Sequence, residues 1–267
     1  MKSKVALVTG ASSGIGKVTA EQLAYAGYRV FGTSRRALRT EARSFEPVVL
    51  DVTSDSSVAA AVQEVMQRAG RIDVLVNNAG IGITGAAEES SIEQVRALFE
   101  TNFHGVVRMT NAILPVMREQ RNGRILNVGS AMGLIPGPYL AYYSATKHAL
   151  EGYSQSLDHE VRQFGIRVAI IGPAYTSTSF EESTVPSDSP VSVYADSRAK
   201  HLVAYRRAMV VADKAESVAK TIVRALQDSP PRLRYASGKS AKQIAFARRF
   251  LSSWLFDKIL RSQFGLD

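Results

Sequence analysis

Three side chains near the middle of the chain have the makings of acid–base chemistry. Tyr143 and Lys147 stand four positions apart in Tyr143-Ser144-Ala145-Thr146-Lys147, so a helix places both on one face. A free phenol ionises near ~10, and an ammonium one turn away favours its ionised form. Such a pair can hold and release a proton at a reacting oxygen. Ser130 follows Ile125-Leu126-Asn127-Val128-Gly129, a run that reads as a strand delivering the serine to the C-terminal edge of a sheet. Ligands of open α/β sheets bind at that edge. With ten tyrosines and ten lysines in the chain, the Tyr–Lys spacing alone is weak evidence. Tyr142 is the poorer candidate, because Thr146 stands four residues beyond it.

A second group of residues suits a phosphate-bearing ligand. Thr9-Gly10-Ala11-Ser12-Ser13-Gly14-Ile15-Gly16 follows the apolar run Val5-Ala6-Leu7-Val8 and opens onto a helical pattern near Ile15. Gly10, Gly14 and Gly16 allow a tight turn and close approach of a pyrophosphate. The helix start adds unpaired N–H groups and partial positive charge. The next apolar run ends in Thr33-Ser34-Arg35-Arg36, and no acid occurs between Glu21 and Glu41. An NAD site carries an acid there for the ribose hydroxyls. Ser34 with the guanidinium of Arg35 or Arg36 instead suits a 2′-phosphate, which points to NADP(H).

Further candidates lie at the ends of later strands. Asp51, in Leu50-Asp51-Val52-Thr53, is either an acceptor for an adenine amino group or a turn aspartate. Asn77-Asn78-Ala79-Gly80 follows an apolar run; its amides can bridge strands while Ala79 and Gly80 keep the backbone open, or it is simply a turn. Asn102 falls inside a long helical pattern, where asparagine is mildly unfavourable, and so is a candidate for a functional position. His104 reads as structural, and no metal site is expected.

What must position these residues is an alternation of apolar runs and helical stretches, which predicts parallel strands with helical crossovers. Strands are expected near Val5–Thr9, Arg29–Thr33, Pro47–Leu50, Val74–Asn77, Arg124–Val128, Val168–Ile171 and Leu233–Ala236, with helices over 15–26, 56–69, 92–119, 142–164 and 215–227. Unbroken Val/Ile/Leu runs imply a sheet covered on both faces. The expected fold is α/β: a single doubly wound, Rossmann-type domain over 1–267, with a parallel seven-stranded sheet and helices on both faces. No apolar run approaches the ~18 to 20 residues that span a bilayer. Met1-Lys2-Ser3-Lys4 leads directly into the first apolar run, so that run reads as structural rather than as a secretion signal. Cytoplasm is the expected location.

The net charge of +9 is uneven: from Arg232 onward eight Lys/Arg face two Asp, leaving +3 for the remaining 231 residues. A nucleic-acid binder spreads its basic residues over a recognition surface, and no such partner is expected. Over 239–267, Ile244, Phe246, Phe250, Leu251, Trp254, Leu255 and Ile259 form a helical pattern interspersed with Arg248, Arg249, Lys258 and Arg261. This basic amphipathic tail packs on its own domain or a sister subunit, covers the substrate pocket, or lies on acidic lipid as a peripheral membrane contact.

In order and spacing, the G-x3-G-x-G turn at 10–16, Asn-Asn-Ala-Gly at 77–80, Asn102, Ser130, Tyr143 and Lys147 resemble the short-chain dehydrogenase/reductase family, over residues 4 to about 176. The general look, including Thr33-Ser34-Arg35-Arg36, is similar to its 17-beta-hydroxysteroid dehydrogenase-like and retinol dehydrogenase-like branch. Gly172-Pro173-Ala174-Tyr175-Thr176 resembles the family's Pro-Gly-x-x-Thr region, with Ala174 in place of the usual glycine.

The resemblance implies NADP(H) bound by Gly10, Ser12, Ser13, Gly14, Ile15, Gly16, Ser34, Arg35, Arg36, Asp51, Val52, Asn78, Ala79, Gly80, Tyr143, Lys147, Pro173 and Thr176. It implies catalysis by Tyr143 as proton donor or acceptor, Lys147 supplying charge, Ser130 bonding the substrate oxygen, and Asn102 holding a water that relays protons through Lys147. Substrate would meet Ser130, Met132, Tyr139 and Tyr143, beside a mobile lid with short helices over 177–213. The apolar Met132, Leu134, Ile135, Pro136, Tyr139, Phe180 and Val185 suit a lipophilic ketone, aldehyde or alcohol. A homodimer or homotetramer through the helices at 92–119 and 142–164 is also implied. The expected activity is NADP(H)-dependent interconversion of a carbonyl and an alcohol. The alternatives are an NAD-dependent dehydrogenase and a non-catalytic dinucleotide-sensing protein.

Overall fold

A computed structural model describes residues 3–38 and 44–266. Seven parallel strands form the central sheet: β1 (Val5–Val8), β2 (Arg29–Ser34), β3 (Glu46–Val49), β4 (Val74–Asn77), β5 (Gly123–Val128), β6 (Ile166–Pro173) and β7 (Arg234–Ser237), in the spatial order β7-β6-β5-β4-β1-β2-β3. The helices are α1 (Gly14–Tyr25), α2 (Asp55–Ala69), α3 (Ile92–Phe99), α4 (Gly105–Glu119), α5 (Ala141–Val161), α6 (Ala195–Val210), α7 (Ala215–Gln227), α8 (Gly238–Phe250) and α9 (Ser253–Gln263). The chain runs outward from β1 to β3, then returns to β4 on the other side of β1. That reversal opens a crevice at the strands' C-terminal ends.

The unbroken apolar strands follow from the pleat, which sends alternate side chains to opposite faces. Val5 and Leu7 of β1 pack in one core with Val58, Val62 and Val65 of α2, Met109 and Ile113 of α4, and Leu157 of α5. Ala6 and Val8 pack in the other, with Ala20 and Leu23 of α1 and Val218 and Ile222 of α7. A polar residue at any of these strand positions would be buried, so neither face shows alternation.

Local signals set several helix ends. The Ser54 hydroxyl accepts from Ser57 N at 3.3 Å at the start of α2, and Gly70, at φ 72°, closes it by donating to the Met66 carbonyl at 2.8 Å. The helix expected over 92–119 is interrupted: a wide π turn, Glu100–His104, joins α3 to α4 and carries Asn102. Within it His104 Nδ1 meets Glu100 Oε2 at 2.8 Å on the surface, a local contact of the structural kind expected. The stretch 177–213 contains more regular structure than short helices, for α6 occupies sixteen of its residues. Its first part is anchored by a strand at Thr184–Pro186, which pairs in parallel with Gly82–Thr84. The tail forms two helices rather than one, because Ser252 caps α9 through Leu255 N at 3.4 Å and breaks the run after Leu251.

Asp158, fully buried on α5, ties that helix to β6. Its carboxylate accepts from Arg162 Nε at 2.7 Å, Arg167 Nε at 2.9 Å and Val168 N at 2.8 Å. Burial pushes its pKa up, but Arg167, the Val168 N–H and Arg162 together hold it below the ordinary value. The stabilisation is therefore present at neutral pH and lost as pH falls through that lowered pKa. Asp158→Ala strands two guanidinium groups and is expected to lower urea stability by about 3–5 kcal/mol at neutral pH. The deficit relative to the native chain should shrink in acid; a deficit independent of pH would contradict the assignment.

Candidate active site

One cavity of about 1000 Å3 runs along the C-terminal edge of the sheet, lined by residues that follow each of β1 to β6. Its floor at β1 is the glycine turn. Gly10 and Gly14 adopt φ of +67° and +54°, which side-chain-bearing residues rarely reach. A Cβ on Gly16 would stand 2.2 Å from the Gly10 carbonyl oxygen and 2.4 Å from Asn78 Nδ2. Gly16 thus lets α1 close on the turn, and it is buried beneath the cavity rather than lining it. Gly10, Ser12, Ser13, Gly14 and Ile15 do line it, at the N-terminus of α1.

The turn is bolted to β4. The Thr9 hydroxyl accepts from Asn78 N at 2.9 Å and Ala79 N at 3.0 Å, and Asn78 Nδ2 donates to the carbonyls of Thr9 at 2.9 Å and Gly10 at 3.1 Å. Behind it, Asn77 Nδ2 donates to Asn127 Oδ1 at 2.9 Å, whose own Nδ2 donates to Ser154 Oγ at 2.8 Å. Asn77 and Asn127 are register partners on β4 and β5, so this amide chain ties two strands to α5. Ala79 and Gly80 continue along the cavity wall.

At the β2 end the predicted phosphate group divides. Ser34 is buried and its hydroxyl donates to the Arg36 carbonyl at 2.5 Å while accepting from Arg36 N, so its one proton shapes the turn. Arg35 lines the cavity; Arg36 is exposed and outside the lining. Asp51 has the turn geometry: Oδ1 accepts from Thr53 N at 2.9 Å and Thr53 Oγ1 at 2.7 Å. Those bonds, backbone first, hold its pKa below the ordinary range against burial, with help from the Arg35 charge. Asp51 and Val52 still face the cavity, so the turn and the cofactor readings are compatible.

Ser130, Tyr143 and Lys147 converge on the same cavity. The Ser130 hydroxyl accepts from Met132 N at 3.1 Å and also meets the Tyr143 phenol. Lys147, buried, donates to the Val128 carbonyl at 3.0 Å, with Nζ 5.5 Å from the Tyr143 ring centre. Burial pushes the Tyr143 pKa up to about 12, with the Ser130 hydrogen bond acting against it, and brings Lys147 down to about 8. The depression of Tyr143 expected from a neighbouring ammonium is thus reversed, because desolvation outweighs the influence of an ammonium directed at a carbonyl. Asn102, buried in the π turn, accepts from Ile81 N at 2.9 Å, and both its amide hydrogens are taken, by Ile81 O at 3.0 Å and Thr146 Oγ1 at 3.3 Å. Thr146 Oγ1 in turn donates to the Tyr143 carbonyl at 2.7 Å. The Asn102 side chain therefore orients the start of α5, and its amide has no hydrogen left to donate to a water.

Pro173 at the end of β6 and Ala174, Tyr175 and Thr176 beyond it line the cavity, and Thr176 Oγ1 donates to the Ala174 carbonyl at 3.1 Å. Only Arg121 and Tyr139 among the described non-glycine residues have positive φ, so Ala174 replaces the family's glycine without backbone strain. Met132 and Tyr139, expected to meet substrate, also line the cavity. Several residues there carried no signal in the sequence. Glu151, partnered by Arg234 Nε at 2.9 Å, steadies the Ser130 turn, because Arg234 Nη2 also donates to the Ser130 carbonyl at 3.2 Å. Glu89 is completely buried, accepts from Ala86 N and Val191 N at 2.8 Å each, and pairs with Arg198 of α6. His201 is clamped between the rings of Tyr139 and Phe264, at 5.1 and 5.6 Å. It is bonded to the Phe264 backbone, and its buried Nδ1 has no hydrogen-bond partner among the described residues.

A glycine turn at a helix N-terminus, opening into the cavity that holds a Tyr–Lys–Ser cluster, defines the class of dinucleotide-binding oxidoreductases. Residues 4–188 match the short chain dehydrogenase family, and the chain belongs to it. It is 44% identical over 183 residues to a 3-ketodihydrosphingosine reductase of Bacteroides thetaiotaomicron, covering 68% of each chain. It is 36% identical over 257 residues to the 17-beta-hydroxysteroid dehydrogenase type 1 of Mus musculus, covering 89% of this chain and 74% of that one. A solved short-chain dehydrogenase from Streptomyces avermitilis superposes with a TM-score of 0.82 at 35% identity over 98% of both chains. The family binds nicotinamide dinucleotides, and solved relatives hold NADH in one case and NADP+ in another.

Burial of Lys147 has a direct consequence in the cofactor-free protein. In lysine-labelled protein followed by NMR, one Cε resonance is expected to titrate near 8 and to vanish in Lys147→Met. If every lysine instead titrated near the free value of ~10.4, the desolvated site would be refuted.

Proposed function

We propose that this chain is an NADP(H)-dependent oxidoreductase interconverting a carbonyl and an alcohol on a lipophilic small molecule, with Tyr143 as the acid and base. The observation that carries this reading is the single cavity joining the Gly10–Gly14 turn to Ser130, Tyr143 and Lys147. The turn fits a pyrophosphate: positive-φ glycines and a helix N-terminus leave backbone at the surface where side chains would obstruct it. Arg35 at the far wall, with Asp51 as the nearby acid already bonded to Thr53, supports a preference for the 2′-phosphate. The bound dinucleotide would supply the hydride.

The protein's own contribution is proton transfer and placement. Held well above neutrality by burial, the Tyr143 phenol keeps its proton, the form a reductase needs to protonate a developing alkoxide. Ser130, hydrogen-bonded to the same phenol, is placed to bond that oxygen and set its distance. Lys147 supplies positive charge beside the phenol in the direction that forms phenolate. Asn102 acts as a positioning residue through Thr146; a proton relay at Asn102 would use its main-chain carbonyl, since its amide hydrogens are engaged. Met132, Tyr139, Tyr175, Phe180, Met209 and Ile244 give the remaining walls an apolar character. Two relatives are named for lipophilic substrates, a ketosphingoid base and a steroid, which favours the same class here.

The test follows NADPH and NADH oxidation against lipophilic ketones and aldehydes. Tyr143→Phe is expected to lower turnover by about 10²–10⁴-fold while retaining cofactor binding; unchanged turnover would eliminate Tyr143 as the acid. Arg35→Ala is expected to raise the KM for NADPH by about tenfold or more, as loss of a hydrogen bond to a charged group does, and to leave NADH unaffected. Equal effects on both cofactors, or tighter NADH binding by the native chain, would favour the NAD-dependent alternative.

A further inference from the structure

The C-terminal helices are apolar on two sides, and only one is accounted for by packing. On the inner side Ile244 of α8 and Phe256, Leu260, Phe264 and Leu266 in and after α9 join Met132 and Ile135 in a small core against the substrate wall. On the outer side Phe246, Phe250 and Trp254 remain 64%, 63% and 73% exposed, with Leu255 and Ile259 also exposed. The Phe246 and Phe250 rings touch, centre to centre at 4.7 Å. A globular surface rarely concentrates so many large apolar side chains without a partner.

The charges around these rings identify that partner. Six Lys/Arg and one acid, Asp257, occur over 238–263. Two of the cations lie against exposed rings: Arg249 over Phe250 at 5.6 Å and Lys258 over Trp254 at 5.8 Å. None of Lys239, Lys242, Arg248, Arg249, Lys258 and Arg261 is in an ion pair with an acid among the described residues. Two copies of this face would bring like charges together, which disfavours self-association. Aromatic and aliphatic side chains with interspersed free cations instead match the interface of an anionic bilayer, where rings enter the head-group region and cations meet phosphate. No helix among the described residues is long and apolar enough to cross a membrane, so contact would be in-plane. We propose that α8 and α9 form a docking face for anionic phospholipid bilayers, seated through Phe246, Phe250 and Trp254. The same α8 presents Ile244 to the cavity, so docking would hold the substrate wall close to the lipid surface. This inference does not depend on which cofactor or carbonyl the chain uses.

Trp254 is the chain's only tryptophan, so its emission reports the contact directly. The full chain is titrated with phosphatidylcholine vesicles, with and without phosphatidylglycerol, alongside cosedimentation. The expected result is a blue shift and sedimentation with the anionic vesicles alone, reversed by high salt. Phe246→Ser/Phe250→Ser and, separately, Arg248→Glu/Arg249→Glu should each weaken partitioning by about tenfold or more. Their melting temperatures and NADPH binding should stay native, which separates loss of docking from loss of fold or cofactor site. Absence of a shift, equal binding to neutral vesicles, or unaffected variants would overturn the proposal. So would a vesicle-independent dimer, seen by light scattering, that the Phe246→Ser/Phe250→Ser pair dissolves.

Discussion

The site depends on one junction, where the Thr9 hydroxyl and the Asn78 amide lock the end of β1 to the end of β4. Two backbone N–H groups beyond β4 terminate on the Thr9 oxygen, and two carbonyls of the glycine turn accept from Asn78. These groups stand at the point where the strand order reverses, so neither could be satisfied by continuing the sheet ladder. Left unpaired and part-buried, each would be costly. The junction therefore fixes the turn's shape and the crevice beside it at once. Gly16 belongs to the same arrangement, since any side chain there would press on the Gly10 carbonyl and the Asn78 amide.

From that junction the polar network reaches α5 by two routes. Through Asn77, Asn127 and Ser154 it crosses β5 to the middle of α5; through Ile81, Asn102 and Thr146 it reaches the turn that carries Tyr143. Tyr143 and Lys147 are thus held from both sides while their own charged forms are penalised by burial. Both shifts come from burial; with its pKa brought only to about 8, Lys147 still carries its proton at neutral pH, beside a phenol that keeps its own. Sequence spacing alone suggested an ammonium depressing a phenol. Burial, which spacing does not encode, reverses the sign.

What the sequence made legible follows the same division between local and long-range causes. All seven sheet strands were readable to within a few residues at either end, the inner ones because strands buried on both faces are largely apolar runs, the edge strands β3 and β7 from shorter apolar cores. Ser130, Tyr143 and Lys147 were readable because one strand end and one helical turn suffice to bring them together. The π turn at Glu100–His104 was hidden, since no breaker residue precedes Asn102 to announce it. The break between α8 and α9 was readable in principle from Ser252 as a cap, but the continuous apolar pattern around it masked the signal. Glu89 was unreadable: Glu88-Glu89-Ser90-Ser91 has the composition of a solvated loop, and its burial depends on Arg198, which is 109 positions away.

That ion pair joins distant pieces of chain on one side of the cavity. Glu89 satisfies three groups at once, the N–H groups of Ala86 and Val191 and the guanidinium of Arg198, so a buried carboxylate is compensated rather than stranded. Arg198 faces the cavity from α6, three residues before His201. His201 is stacked on Tyr139 from one side and on Phe264 from the other. α6 is thereby fastened at its first turns to the body through charge and, one turn later, to the C-terminal tail through rings. The tail cannot then be an independent appendage, because Phe264 stacks on the His201 ring of α6. Ile244 of the tail lines the cavity, Phe264 packs on His201 behind it, and the outer face is the surface left for a partner.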